Sequence, residues 1–405
     1  MLKHTPRDSE LQHQQVYCLL SRQDIATRAM YLRSRLREMA IAFAGTTAII
    51  IIAILFTTQP GFAEERFRLE QVADRLDIIW GIDFISENLM IFTEKSGSVS
   101  LLDLQSREIT KISQAPDVFA SGQGGLLDLA VSPDFQDTKE IFFTYSKRVE
   151  RNGVTVLAKA RFQDNSLILW QDILVTNSGT STSRHYGSRI AFDQSGHLFF
   201  TVGDRGERPN AQNLSNHAGS VLRLKLDGSI PDSNPFIDTP EALPEIYSYG
   251  HRNPQGIAFD AETSRLWLIE HGPRGGDEIN LIEAGKNYGW PIVSHGQEYY
   301  APIPVGEARE KQGMEPPVKV YIPSIAPGSL IIYSGKAFPK WRGNLFAGAL
   351  KLRHLNRVTM NAQGEAVLEE RLFESLHERI RDVAESPAGL IYFSTDSGKI
   401  FRISP

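Results

Sequence analysis

The chain has 405 residues and a formal net charge of −5 at pH 7. Its apolar and charged fractions are those of an ordinary globular protein, with room for one large domain or two to three average ones. The acidic balance argues against nucleic-acid binding, because no basic surplus can replace phosphate counterions. The single cysteine, Cys18, excludes an intrachain disulfide and a thiolate metal cluster.

The first element in the chain is an uncharged apolar run from Ala40 to Thr58, preceded by several arginines. A run of about 19 apolar residues can span a bilayer as a helix. Gly61 and Ala63 supply the small side chains that a signal peptidase reads. We therefore expect a polar leader over residues 1–38 and a signal peptide or uncleaved anchor over residues 39–63. The positive-inside bias then places residues 66–405 in the periplasm, held at the inner membrane if the segment is retained.

After residue 70 the sequence repeats one unit, in which two apolar strands flank a turn containing Asp, Pro, Ser or Gly. The clearest copy is IAFDQSGHLFF at residues 190–200. The six copies are residues 82–92, 129–143, 190–200, 257–268, 330–346 and 383–393. Six hairpins at a spacing of roughly 50 to 70 residues predict an all-β fold, a six-bladed β-propeller. A pair of β-sandwiches is the alternative, although it requires no fixed period.

Polar segments lie beside the predicted strands, and the first two carry an acid–base pair. His185, in the segment RHYGSR, suits a general base because an imidazole titrates near neutrality. Asp204, in VGDRG, could hold the tautomer of that imidazole by accepting a hydrogen bond. Each has an ordinary alternative: most single histidines are structural or lie on the surface, and an Asp often satisfies a Gly-rich turn.

The next two segments are rich in hydrogen-bond donors and in candidate metal ligands. In YGHRNPQG, at residues 249–256, Asn253 and Gln255 are two apart and point the same way on a strand, as for a polar small-molecule contact. In EHGPRGGDEIN, at residues 270–280, glycines permit close backbone approach, and carbonyls and carboxylates are both calcium ligands. An acidic Gly-rich loop can equally be an ordinary turn.

Near the C-terminus, Arg379 and Arg381 would direct two guanidinium groups to one side of a strand. Two like charges in a common space need an anion or water between them. Lys351 could reach the same region. The alternative is a solvated charged face.

Taken together, YGHRNPQG and EHGPRGGDEIN resemble the motifs of soluble PQQ-dependent aldose sugar dehydrogenases, a family that includes soluble glucose dehydrogenase. The segments GQGGLLD at residues 122–128 and GKNYGWP at residues 285–291 strengthen the resemblance, which covers residues 72–403. The family fold is a six-bladed propeller, in agreement with the repeat.

The resemblance implies that a sugar is oxidised at C1 to a lactone, with hydride transfer to PQQ and electrons passed to an external quinone or cytochrome. His185 would be the base for the anomeric hydroxyl, Asp204 would orient it, and Arg252 would stabilise charge on the quinone oxygen. The implied cofactor contacts are Arg252, Asn253, Gln255, Lys351, Arg379 and Arg381. The implied calcium ligands are the carbonyls of Gly272 and Pro273, with Glu278 and Tyr288 at a second, structural calcium; Gln123 and Tyr321 are the implied substrate residues.

One departure concerns the substrate. Many relatives carry a tryptophan over the sugar just before the segment PSIAP, where this chain has Tyr321 and Ile322. The weaker stacking surface favours a broad aldose range over strict glucose selection. Two other functions remain open at this stage: a calcium-dependent propeller lactonase and a non-enzymatic extracellular binding propeller.

Overall fold

The computed structural model describes residues 67–115 and 117–405, which form six four-stranded antiparallel sheets. Sheet 1 contains β2 (Ile79–Ser86), β3 (Leu89–Glu94), β4 (Ser98–Asp103) and β5 (Ile109–Gln114). Sheet 2 contains β6 (Leu126–Val131), β7 (Glu140–Val149), β8 (Asn152–Gln163) and β9 (Ser166–Val175). Sheet 3 contains β10 (Ile190–Phe192), β11 (His197–Val202), β12 (Ser220–Lys225) and β13 (Ile246–Tyr249).

Sheets 4 to 6 complete the set. Sheet 4 contains β14 (Pro254–Asp260), β15 (Arg265–Glu270), β16 (Asp277–Ile282) and β17 (Lys319–Tyr321). Sheet 5 contains β18 (Ile331–Ile332), β19 (Leu345–Ala349), β20 (His354–Met360) and β21 (Ala366–Leu372). Sheet 6 contains β22 (Ile380–Glu385), β23 (Ile391–Thr395) and β24 (Ile400–Ser404), followed at its edge by β1 (Arg68–Ala73). The short helices are α1 (Phe135–Thr138) and the 3₁₀ helices Arg208–Gln212, Pro339–Trp341 and Glu374–Leu376.

The six sheets close into a ring. The first strands, β2, β6, β10, β14, β18 and β22, contact those of the neighbouring sheets and so surround a central axis. Sheet 6 takes its outermost strand from the beginning of the domain, with Arg68 opposite Ser404 and Leu69 opposite Ile403. This pairing seals the ring. The predicted six-bladed propeller is confirmed, and the six predicted hairpins are the two inner strands of the six sheets.

Apolar side chains on both faces of the strands explain why the inner strands read as continuous hydrophobic runs. Phe142 packs towards sheet 3, whereas the next residue, Phe143, packs towards sheet 1. Phe199 and Phe200 divide in the same way between sheets 4 and 2. Successive side chains on a strand alternate in direction, so a sheet between two neighbours needs apolar residues at every position. A separate core therefore fills each interface between sheets.

The turns of the hairpins are built locally by side chains. Between β10 and β11, the carboxylate of Asp193 accepts hydrogen bonds from the backbone N–H groups of Ser195, at 2.8 Å, and His197, at 2.9 Å. Gly196 occupies the left-handed region there, with a φ of 80°. Asp at the start of such a turn and Gly at its left-handed position explain why DQSG reverses the chain.

A single arginine occupies the centre of the ring. The guanidinium of Arg189 forms ion pairs with Asp128 of β6 at 2.8 Å and Asp382 of β22 at 2.9 Å. It also stacks on Trp80 of β2, with 4.2 Å to the ring centroid. Its remaining hydrogen bonds go to the backbone carbonyls of Gln255, Gly328 and Arg381. Arg189 lies next to β10, so this side chain joins all six sheets at the axis.

The predicted leader and the apolar segment Ala40–Thr58 lie outside the described residues. Within residues 67–115 and 117–405, no helix is long and apolar enough to cross a membrane.

Candidate active site

The imidazole of His185 belongs to a chain of hydrogen bonds that continues through Asp204 to Trp290. Its Nδ1 lies 2.6 Å from Oδ1 of Asp204, and the other carboxylate oxygen accepts the indole N–H of Trp290 at 2.8 Å. Both side chains of the pair are almost fully buried. An ionised carboxylate can only accept, so Nδ1 carries the proton. Nε2 is then a lone-pair nitrogen, and it has no hydrogen-bond partner among the described residues.

Electrostatics keep this imidazole neutral. Burial lowers the pKa of His185; the Asp204 carboxylate opposes that effect, and the charge of Arg252 adds to it. Burial alone would raise the pKa of Asp204, but the hydrogen bond with His185 and nearby positive charge bring it below its ordinary value. The pair therefore consists of a neutral imidazole and a carboxylate near neutral pH, which is the resting state of a general base.

The backbone of His185 is also constrained. Its φ of 57° lies in the left-handed region, which a non-glycine residue adopts at a cost of about 1–3 kcal/mol. The amide side chain of Gln123 accepts the backbone N–H of His185 at 2.7 Å. The predicted residue Gln123 thus holds the backbone of His185, whereas Asp204 holds its ring.

Arg252 lies beside this pair. Its Nη1 donates to the carbonyl of His271 at 3.1 Å, and its guanidinium lies 5.3 Å from the ring centroid of Trp290. Its backbone N–H donates to Glu270 at 2.6 Å. Burial lowers the pKa of His271 to about 3, and the charges of Arg252 and Arg381 add to that shift. The cation, the base and the arginine of sheet 6 therefore converge on one region.

A cavity lies beside these groups; His271 and Arg381 line it, whereas His185 and Arg252 are not among its lining residues. Among its lining residues are the predicted ligand contacts Gln123, Asn253, Gln255, Arg379 and Arg381. Lys95, which the sequence analysis missed, lines it as well, with its Nζ 2.6 Å from the carbonyl of Gly122. Three cations and three amide side chains face this single space, which makes it suited to a polar anionic ligand.

The anion between the paired arginines comes from the protein itself. Asp396 accepts Nε of Arg379 at 2.7 Å and Nε of Arg381 at 2.9 Å. The pair is therefore partly neutralised before any ligand binds. Asp396 was not predicted, although the register that places Ile380 opposite Thr395 also brings Arg379 next to Asp396.

The predicted calcium residues surround a second, very small cavity next to the first. Gly272, Pro273, Glu278 and Tyr288 line it together with Arg252, and its volume of about 10 Å³ suits one water or ion. The phenol of Tyr288 is already used, since it donates to the carbonyl of Leu281. Within residues 67–115 and 117–405, no three His, Cys, Asp or Glu side chains form a metal-binding cluster.

Two predicted residues lie away from the cavity. Lys351 is exposed and does not line it; the neighbouring Leu350 does. Tyr321 is buried in the core between sheets 4 and 5, with its hydroxyl donating to Asn356 at 2.8 Å. The next residue in the sequence, Ile322, is 66% exposed. The predicted substrate contact of Tyr321 is therefore wrong in position, because one step along a strand reverses the side chain.

A family model for glucose/sorbosone dehydrogenases matches residues 76–402. The chain belongs to this family. It is 38% identical over 345 residues to the aldose sugar dehydrogenase of Escherichia coli (strain K12), a match that covers 83% of this chain and 92% of the relative. The crystal structure of that soluble aldose sugar dehydrogenase in its apo-form superimposes with a TM-score of 0.80 at 35% identity, covering 84% of this chain and 100% of that one.

A more distant relative is the quinoprotein glucose dehydrogenase B of Acinetobacter calcoaceticus. It is 28% identical over 402 residues, which cover 79% of this chain and 82% of the relative. The family membership and the propeller predicted from the motifs are thus both confirmed.

Proposed function

We propose that the protein oxidises aldose sugars at C1 to lactones, with PQQ and calcium as cofactors and an external quinone or cytochrome as electron acceptor. The observation that carries the proposal is the neutral imidazole of His185, whose Nε2 has no partner among residues 67–115 and 117–405 and which lies beside Arg252. The names of the Escherichia coli and Acinetobacter relatives support an aldose substrate and a quinone cofactor. The apolar segment at residues 40–58 supports export to the periplasm.

The lining of the cavity fits PQQ, a planar quinone that carries three carboxylates. Lys95, Arg379 and Arg381 offer cationic partners for carboxylates, and the planar forks of the two arginines suit them especially. Asn253 and Gln255 offer amide groups to the remaining polar edge. The chemistry that PQQ supplies when bound is acceptance of the hydride from C1.

The side chains of the protein provide the proton transfer. Nε2 of His185 takes the proton of the anomeric hydroxyl, while the Asp204 carboxylate stabilises the imidazolium that forms. Arg252, fixed by His271 and Trp290, stabilises negative charge that develops beside it. The donors are in place before the reaction, so little reorganisation is needed.

The calcium proposal is supported by backbone geometry. The Asp277 carboxylate accepts the backbone N–H of Gly272 at 3.0 Å, and a Cβ on Gly272 would lie 2.0 Å from the carbonyl oxygen of Gly276. A tightly folded, glycine-dependent loop of this kind can present the carbonyls of Gly272 and Pro273 to calcium, a hard cation that accepts carbonyl oxygen. Glu278 and Tyr288 also line a separate, larger cavity together with Glu310 and Glu315, and they remain the proposed residues of a second, structural calcium site there.

The experiment that tests this function uses purified protein, to which PQQ and calcium are added together or singly. We expect reduction of an artificial dye with D-glucose and other aldoses only when PQQ is present. Hydrolysis of a lactone without PQQ would instead favour a propeller lactonase. Neither activity, in protein shown to bind PQQ by absorption, would favour a binding module and overturn the proposal.

Replacement of Arg381 by glutamine is expected to weaken PQQ binding by about 2–5 kcal/mol, because the variant lacks a buried cationic partner. The matched change Arg379→Gln should have a smaller effect, since 45% of the Arg379 side chain is exposed, against 14% for Arg381. Absorption titration of PQQ into each variant measures the difference. Equal affinities of wild type and Arg381→Gln would contradict the assignment.

A further inference from the structure

The loop at residues 296–305 is held rigidly over the candidate active site. The backbone N–H of Val305 donates to the carbonyl of Gly296 at 3.1 Å, and the backbone N–H of Glu298 donates to the carbonyl of Ile303 at 2.8 Å. The loop is therefore a small hairpin. The side-chain carboxylate of Glu298, in this hairpin, accepts hydrogen bonds from both terminal nitrogens of Arg208, at 2.7 and 2.8 Å. A bidentate pair of this kind fixes orientation as well as distance.

A second connection ties this hairpin to the predicted calcium loop. Arg274 and Gln297 exchange two backbone hydrogen bonds, at 3.0 and 3.2 Å. The hairpin tip is therefore attached on one side to Arg208 and on the other to the segment that follows Gly272 and Pro273. Such double attachment positions the tip relative to the cavity.

Tyr299 lies at that tip with its polar end directed inwards. Its hydroxyl is 3.4 Å from Nη2 of Arg252, the guanidinium whose charge helps to lower the pKa of His185. The residue is nevertheless 65% exposed. An aromatic ring that is anchored at its hydroxyl and open over most of its surface offers an apolar face directly beside the catalytic groups.

A sugar ring needs such a face. The axial C–H groups of a pyranose form an apolar surface, which packs well on an aromatic ring, while its hydroxyls bind polar groups. At the end of β17, by contrast, Tyr321 is buried and the exposed residue is the aliphatic Ile322, so this segment offers no aromatic face. Ile322 lies next to Gly275, on the same loop that Gln297 contacts through Arg274.

We propose that Tyr299 is the aromatic platform on which the sugar ring binds beside Arg252. This inference rests on the proposed function and names a residue that determines substrate binding. Tyr300 is the matched control: it is the next residue on the same tip, with the same chemistry and 80% exposure, but it does not contact Arg252.

The experiment compares wild type, Tyr299→Ala, Tyr299→Phe and Tyr300→Ala, each loaded with PQQ and calcium. KM and kcat are measured with D-glucose. The affinity for methyl α-D-glucoside, whose capped C1 oxygen blocks oxidation, is measured by saturation-transfer NMR. Tyr299→Ala should raise KM and the glucoside Kd about 3- to 10-fold, with PQQ affinity unchanged. Because Arg252 keeps its contacts with His271 and Trp290, kcat should stay within about twofold.

The conservative and control variants make the result specific. Tyr299→Phe keeps the ring but loses the hydrogen bond with Arg252, so its constants should lie between those of wild type and Tyr299→Ala, whereas Tyr300→Ala should remain close to wild type. Unchanged constants in Tyr299→Ala, or an equal loss in Tyr300→Ala, would overturn the platform while leaving the oxidation proposal intact. Glucoside binding that depends on Tyr299, in a protein that reduces no dye with any aldose, would support the platform and overturn the oxidation.

Discussion

Replacement of His185 by alanine is expected to lower kcat by about 10²–10⁴-fold, because general-base catalysis contributes an effect of that size. PQQ affinity should persist, since the cationic residues of the cavity are unchanged. The measurement pairs dye-reduction kinetics with an absorption titration of PQQ. The matched control is His197→Ala, which removes a similar imidazole–carboxylate pair at a hairpin turn. There, Nδ1 of His197 lies 2.7 Å from the carboxylate of Asp193. Full turnover in His185→Ala would eliminate it as the base.

The pH dependence provides a second measure of the same assignment. The lowered pKa keeps His185 neutral through neutral pH, so kcat/KM should be constant there and fall only on the acid side of 6.5 as the base becomes protonated. In Asp204→Asn, the carboxylate that raises the His185 pKa is absent, so the acid limb should move to still lower pH while kcat also falls. An acid limb that moved upward would contradict the role of Asp204.

Replacement of Arg189 by methionine is expected to destabilise the fold by about 3–5 kcal/mol, because Asp128 and Asp382 would be left buried without their cation. Even with Arg189 present, burial raises the pKa of Asp382 to about 7. In the variant, protonation of the carboxylates relieves the penalty, so the loss should be larger at pH 8 than at pH 5. Chemical denaturation at both pH values measures this difference.

The matched control for the axis is Arg223→Met. Arg223 is similarly buried, but its side-chain partners, Asn234 and Ser233, are neutral. Its replacement should cost about 1–3 kcal/mol for the unsatisfied partners, with little difference between the two pH values. If Arg189→Met were no more destabilising than Arg223→Met, the central ion pairs would not hold the sheets together.

The sequence predicts the repeat well, because each hairpin carries its own information. Continuous apolar runs and turn chemistry, as at Asp193 to Gly196, act within a dozen residues and are visible without the fold. The sealing pair β1 and β24 joins residues from opposite ends of the domain. No local pattern specifies that contact, so only the ring itself shows it.

The sequence predicted the site residues that lie within dense motifs and missed those that stand alone in the sequence and meet only in the fold. Lys95, Asp204, His271 and Asp396 each follow the second strand of their sheet, so the symmetry of the ring brings them to one end of the axis. Applying that equivalence to every repeat would have identified Lys95 and Asp396. The residue directly after β19 is Leu350, which lines the cavity, whereas the predicted residue Lys351 does not.

Sheet 6 unites the first strand of the domain with its last three, and it also carries Arg381, with Asp396 directly after β23. A growing polypeptide therefore has an open edge, and an incomplete ligand pocket, until its final strands have been made. If PQQ binds in this cavity as proposed, it binds after the ring has closed, because the cavity is complete only when sheet 6 has formed. A C-terminal truncation that deletes β24 is therefore expected to prevent PQQ binding by leaving the ring open, even though every residue that lines the cavity would still be present.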